Sequence, residues 1–239
     1  MSATPFIAPH PVATTALPAV SDLVIDGEFR MPVITTFEEF VEWWTSDARP
    51  ERGRFAFLGG IVWVDLMSEQ LYTHNRVKVA FTLALEQLSL DQGTGTYFDD
   101  GADLLNDTAL LATTPDGVYV ADATFASGRV VEQPSRHQVG VVRLEGTPDM
   151  VLEVVSDSSE DKDYVQLQAR YHAAGIPEFW RVDACGELRF EILRRDPSGY
   201  VPTQRPDGWW RSEVFGRDFL LTAGVNSRGQ PRFALQHRP

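Results

Sequence analysis

Glu153 is the one charged residue in the apolar run Met150–Val155 (MVLEVV). Alternate side chains of a strand share a face, so Met150, Leu152 and Val154 would point one way and Val151, Glu153 and Val155 the other. A carboxylate between two valines on a buried face is costly unless it is paired or holds a cation. No basic residue stands close enough along the chain to pair with it locally. Asp122 interrupts a second strand-like run, VYVADATF, with Val118 and Val120 before it and Phe125 after it. Two acids at neighbouring strand ends, followed by a helix, can hold a hard cation. Mg²⁺ takes one or two carboxylates and completes its octahedron with water and substrate phosphate. Such an ion activates water and stabilises charge on phosphoryl oxygens. Asp122 and Glu153 are thus candidate ligands for Mg²⁺ or Mn²⁺. The structural alternatives are a Glu153 paired with a distant arginine and an Asp122 facing water at a strand end.

The elements that would position these acids are legible in outline. Thr35-Thr36-Phe37-Glu38-Glu39 has the spacing of a capping box and opens a helix with Phe37, Phe40, Val41 and Trp44 at helical intervals. Strands over 55–58 and 61–66 flank Gly59-Gly60, a tight hairpin. A helix runs from about His74 to Leu90, with Val77, Phe81, Ala84, Leu85 and Leu88 as its core face. Strands are expected over 95–98, 109–112 and 117–125. Residues 126–146 read as a polar loop, with a short element near 139–144. After the Glu153 strand, Ser156-Asp157-Ser158-Ser159 is a turn and cap cluster. A helix over 161–174 ends at Gly175, with Pro177 beyond it. A hairpin follows over 178–193, then short strands over 209–215 and 219–221. The sum is an α/β (α+β) chain: a mixed central sheet flanked by helices, with extra antiparallel hairpins. Residues 1–20, rich in Ala, Pro and Thr, read as a flexible tail, and 21–239 as one domain. There is no internal repeat.

Twenty-one basic residues stand against 34 acidic ones, a net charge of −13. That average surface disfavours sequence-independent binding to polyanions, although a local basic cleft could still admit DNA. Lysine occurs only at 78 and 162. The single cysteine, Cys185, excludes an intrachain disulfide and fits a reducing, cytoplasmic setting. No secretory signal or membrane-spanning run is expected. P-loop, dinucleotide-glycine and zinc-ligand patterns are absent.

The run PDMVLEVVS (148–156), then Asp163, Tyr171, AGIPEFW (174–180) and VD (182–183), resembles the Uma-two family of restriction endonucleases, within the PD-(D/E)xK nuclease superfamily. TTFEEF (35–40), the helix start near His74 and SEVFGRDFLL (212–221) extend the likeness over about 35–221. The resemblance implies a restriction-endonuclease-like core and Mg²⁺- or Mn²⁺-dependent hydrolysis of nucleic-acid phosphodiesters. It assigns Asp122 to the motif aspartate, although Ala121 replaces the usual proline, and Glu153 to the second acid. By analogy with double-strand cutters, a homodimer is plausible.

Two positions depart from the family. Its helix lysine falls on Leu167, and an early acid in its first hairpin falls on Ala56. A replacement cation has three candidates. Lys162 lies five residues before Leu167, roughly 140° around an α-helix, and so points elsewhere unless the helix begins later. Arg170 is three residues after Leu167, on nearly the same face, but cannot act as a base. Lys78 shares a helix side with His74. Lys78 or Arg170 is taken to restore part of the positive charge. Asp149 reads as a turn residue. Asp157, Asp161 and Asp163 suit a helix start, and Tyr171, Phe179 and Trp180 suit the core. Trp209-Trp210 fits strand packing better than base stacking. The leading expectation is a metal-dependent endonuclease. The alternative is a catalytically impaired nuclease fold serving as a binding or interaction module. A hydrolase of small phosphorylated substrates would suit the charge but has no motif behind it.

Overall fold

A computed structural model describes residues 22–25, 29–134, 140–156 and 162–239. The tail expected over 1–20 lies outside them. The chain divides into two units between Ile34 and Thr35. In the first, β1 (Asp22–Ile25) and β2 (Phe29–Pro32) pair antiparallel.

The second unit opens with α1 (Phe37–Trp44), started by the expected capping box: Thr36 Oγ1 accepts from the Glu39 N–H, and the Glu39 carboxylate accepts from the Thr36 N–H. β3 (Arg54–Leu58) and β4 (Ile61–Asp65) form the hairpin around Gly59-Gly60, both with positive φ. A π-helical turn, Leu71–Asn75, leads into α2 (Arg76–Gln92), which stops at left-handed Gly93. Then come β5 (Gly95–Asp99), β6 (Asp103–Asn106), β7 (Leu111–Thr113) and β8 (Gly117–Ala121). α3 (Asp122–Ala126), β9 (Val130–Pro134), β10 (Val141–Gly146) and β11 (Met150–Val155) follow. A second π-helical turn, Lys162–Gln166, precedes α4 (Leu167–Ala173). β12 (Glu178–Asp183), β13 (Arg189–Asp196), β14 (Gly199–Pro202), β15 (Trp210–Ser212), β16 (Arg217–Val225) and β17 (Pro231–Arg238) complete the unit.

The central sheet has the order β14-β13-β12-β11-β8-β5 and is mixed: β11 runs parallel to β12, and its other neighbour, β8, is antiparallel. A second six-stranded sheet, β4-β3-β7-β6-β10-β9, packs against one face, and the three strands β15-β16-β17 lie against the other. β11 alternates as its sequence requires. Met150, Leu152 and Val154 pack with Val77, Phe81 and Leu85 of α2. Val151 packs with Leu167 and Tyr171 of α4, and Glu153 shares that side.

Three local expectations change. The strand over 117–125 ends at Ala121 because Asp149 captures the chain there: its carboxylate accepts from the Ala121 N–H (2.8 Å) and the Thr124 hydroxyl (3.0 Å), starting α3. The loop over 126–146 contains β9 and β10, with β10 parallel to β6. The helix over 161–174 is α-helical only from Leu167. No helix among the described residues is long and apolar enough to cross a membrane.

Candidate functional site

Glu153 sits near the C-terminal end of β11, 3% exposed. The β8–β11 register pairs Gly117 with Leu152, so one step further places residue 116 opposite residue 153. Residue 116 is Asp, preceded by Pro115. Asp116 Oδ2 accepts the Val154 N–H at 2.8 Å, which fixes its carboxylate beside Glu153. The next residue must be small, since a Cβ at Gly117 would run into the Tyr97 ring. Both acids line one pocket with Glu69, His74, Lys162 and Asp163. Its free volume, about 40 Å³, holds one or two water-sized occupants.

Cations surround Asp116. Arg54, at the start of β3, donates to Asp116 Oδ1 at 2.9 Å and also binds Glu69 and Asp100. Lys78 Nζ donates to Glu69 at 2.7 Å and Asp100 at 2.9 Å, and lies 3.6 Å from Asp116 Oδ1. His74 Nε2 is 3.4 Å from the same oxygen. Burial alone would raise the Asp116 pKa, but His74, Arg54 and Lys78 together outweigh it and hold the carboxyl below the usual range. Glu153 goes the other way. Burial, then the neighbouring charges of Asp116 and Asp163, push its pKa well up, against weaker opposition from Lys162 and the Tyr171 hydroxyl. Two adjacent carboxyls are thus driven apart: Asp116 is the anion and Glu153 the proton holder. Tyr171, fully buried on α4, donates its hydroxyl to Glu153 Oε1. No arginine pairs with Glu153 among the described residues. Arg181, opposite it on β12, binds Glu191 and Gln168 and stacks over Tyr164.

Glu69, His74 and Asp116 offer three donor atoms within 4.8 Å of one another. Both ring nitrogens of buried His74 lack a hydrogen bond among the described residues. A carboxylate/histidine group able to hold a metal ion is therefore present, and Glu153 adds a further oxygen donor to the same pocket.

Not every residue singled out from sequence arrives here. Asp122 is the exposed first residue of α3 and is not among those lining the pocket. It begins the helix after β8, where Ala121 pairs with Gly95, whereas Asp116 precedes β8 and faces Glu153. Arg170 turns toward the β3–β4 hairpin, where a Cβ at Gly59 would meet its guanidinium at 2.5 Å. Leu167 and Ala56 are buried in the apolar cluster between the sheets. Lys162, expected to point elsewhere unless the helix began later, lines the pocket with its Nζ 3.7 Å from Asp163, and the α-helix does begin later, at Leu167. The difference is the π-helical turn, Lys162–Gln166, whose wider winding makes the α-helical angle count inapplicable. Sequence reading missed Asp116, Arg54 and Glu69, and gave Asp163 only a helix-start role. The dipeptide Pro115-Asp116 was the available signal for the first. Asp149 holds α3 and Arg129. Trp210 is core, and Trp209 lies under Arg238.

The described residues thus form a mixed α+β fold whose central sheet presents two carboxyls from adjacent antiparallel strands, with lysines beside them. The family model Uma2, described as "Putative restriction endonuclease", matches residues 37–223, and the chain belongs to that family. Among solved structures, a "putative nuclease belonging to DUF820" from Anabaena variabilis superposes with a TM-score of 0.55. It is 14% identical, over 76% of this chain and 90% of that one, a likeness of fold. No curated protein matches the sequence.

Proposed function

We propose that this chain is a metal-dependent endonuclease that hydrolyses nucleic-acid phosphodiester bonds at the Asp116–Glu153 pocket. The observation that carries this reading is the pair of adjacent buried carboxyls, Asp116 and Glu153, in one pocket with Lys162 and His74. A divalent cation there would supply Lewis-acid polarisation of a phosphoryl oxygen and activation of water. Asp116 and Glu153 would hold it, with Glu69 and His74 as further donors. An oxygen set with one imidazole suits Mn²⁺ at least as well as Mg²⁺, which prefers oxygen throughout.

The chain's own residues have distinct tasks. Asp116 supplies a standing negative charge. Glu153 would serve as a ligand in its carboxylate form, which a bound cation would favour over the neutral acid. Tyr171 fixes the Glu153 rotamer through its hydroxyl. Lys162 supplies the positive charge near the scissile phosphate that Leu167 cannot. Arg54 and Lys78 neutralise Glu69 and Asp116 while no ion is bound.

That internal neutralisation favours the second reading, a nuclease fold kept for binding, because an ion must compete with two resident cations. Calorimetry with Mn²⁺ on wild type, Asp116→Asn and Glu153→Gln, alongside plasmid cleavage, separates the two. Binding and cleavage lost together in both variants support the endonuclease. Binding without cleavage supports the binding module, and a wild type that does neither refutes the metal-dependent site.

A further inference from the structure

Among the described residues, eight arginines are paired with carboxylates of the chain: 49, 54, 129, 143, 181, 205, 211 and 238. Arg76, Arg228 and Arg232, like several other described arginines, have no such ion pair, but these three stand together. They converge on one surface pocket with Tyr72, Asn226 and Pro231, and no acid lines it. All three are exposed, and none has an ion-pair partner among the described residues. Arg76 opens α2, and the other two flank the β16–β17 turn. The arrangement is built. Asn226 Oδ1 accepts the N–H groups of Arg228 (2.8 Å) and Gln230 (3.0 Å), which fixes the turn. The Arg228 guanidinium donates to the Tyr72 hydroxyl at 3.3 Å, tying that turn to residues 71–75. The pocket volume is about 320 Å³, ample for a phosphate group.

We propose that this pocket grips phosphodiester oxygens of a nucleic-acid backbone. The inference rests on the nuclease reading and says how so acidic a protein holds its substrate. At a net charge of −13 the overall field repels a polyanion, so attraction has to come from a local cluster whose charge is not cancelled. Arginine suits the task because its planar fork meets phosphate oxygens bidentately. The position is apt too. Tyr72 of this pocket and His74 of the carboxylate pocket belong to one five-residue turn. The contact reads backbone, not bases, so it carries no sequence preference.

The test is fluorescence anisotropy with short labelled duplexes of unrelated sequence. It uses the full chain carrying Glu153→Gln, in EDTA, so that neither metal nor cleavage enters. Arg228→Gln/Arg232→Gln is compared with Arg194→Gln/Arg195→Gln. The control pair changes net charge equally but lies at the opposite end of the central strands, where Arg194 faces Glu178. The pocket pair should weaken all duplexes alike and reduce the slope of log affinity against log salt by about two, close to 0.9 per lost phosphate contact. The control pair should leave the slope unchanged. Equal effects from the two pairs, or no binding by the parent chain, overturn the proposal. Should the pocket pair prove unfolded by circular dichroism, Arg76→Gln, on a different element, must lower the slope by about one. Mn²⁺ binding and cleavage are measured separately. A chain that binds Mn²⁺ and cuts while the pocket pair is silent would refute the pocket and leave the endonuclease standing.

Discussion

Replacing Tyr171 by Phe removes one oxygen and leaves the ring packing against Phe179, with centroids 5.4 Å apart. What disappears is the hydrogen bond to Glu153 Oε1, between two groups that are both almost fully buried. A buried carboxyl oxygen left without its donor costs about 1–3 kcal/mol. Taking about 2 kcal/mol as central, a unit of this size should lose about 4–8 °C in melting temperature. Urea denaturation should show a lower midpoint at unchanged slope, because the surface exposed on unfolding is the same. The double-mutant cycle sharpens the assignment. In a Glu153→Met background the tyrosine hydroxyl has no acceptor, so Tyr171→Phe should be neutral or stabilising there. A Tyr171→Phe variant within about 0.5 kcal/mol of wild type, or an equal loss in both backgrounds, would refute the argument that this bond anchors Glu153.

Asp116→Asn should abolish Mn²⁺ binding and destabilise the chain by about 3–5 kcal/mol, the cost of removing one partner from a buried charge cluster, read by calorimetry and denaturation. Asp122→Asn should leave Mn²⁺ affinity unchanged in the same titration. The two acids predict opposite pH limbs. Asp116, with a depressed folded pKa, contributes stability that is present above its unfolded value near 3.8 and lost as pH falls toward its folded pKa. Glu153, with a raised one, contributes stability that is full below its unfolded value near 4.5 and lost as pH rises through its folded pKa. Glu153→Gln should therefore flatten the decline above pH 4.5, and a denaturation series across pH checks it. Lys162→Met should lower cleavage without changing the Mn²⁺ midpoint greatly, and Leu167→Lys should restore part of it. No rescue in a folded double variant would sink the idea that either position can supply the cation.

The fold was legible where burial leaves a clean period. α1, the β3–β4 hairpin, α2 and β11 follow from capping residues, a glycine pair and apolar spacing. β9 escaped, and β10 was legible only as a short element, because the sheet edge they form is wet: Val131, Val141 and Val142 are exposed, so no alternation marks them. α3 escaped because its start depends on Asp149, 27 residues after Asp122, whose carboxylate reaches back to Ala121 and Thr124. A contact of that separation leaves no trace in a local window.

The site divides along the same line. Glu153 is legible because a lone carboxylate in an apolar strand breaks a local rule, and functional positions are where such rules fail. Its partner is not, because which acid faces it depends on strand register. VYVADATF offered Asp122 at the end of β8, and TTPD offered Asp116 at its beginning. In an antiparallel pair only the latter end lies beside the C-terminal half of β11. The cation follows a subtler rule. Counting 100° per residue from Leu167 sends Lys162 away from the site, and that count holds only for an α-helix. The turn Lys162–Gln166 is π-helical, with i→i+5 hydrogen bonds and a wider turn than an α-helix. A lysine missing from the α-helical position can thus stand in the turn before it. The chemistry is displaced along the chain while the charge stays in the pocket.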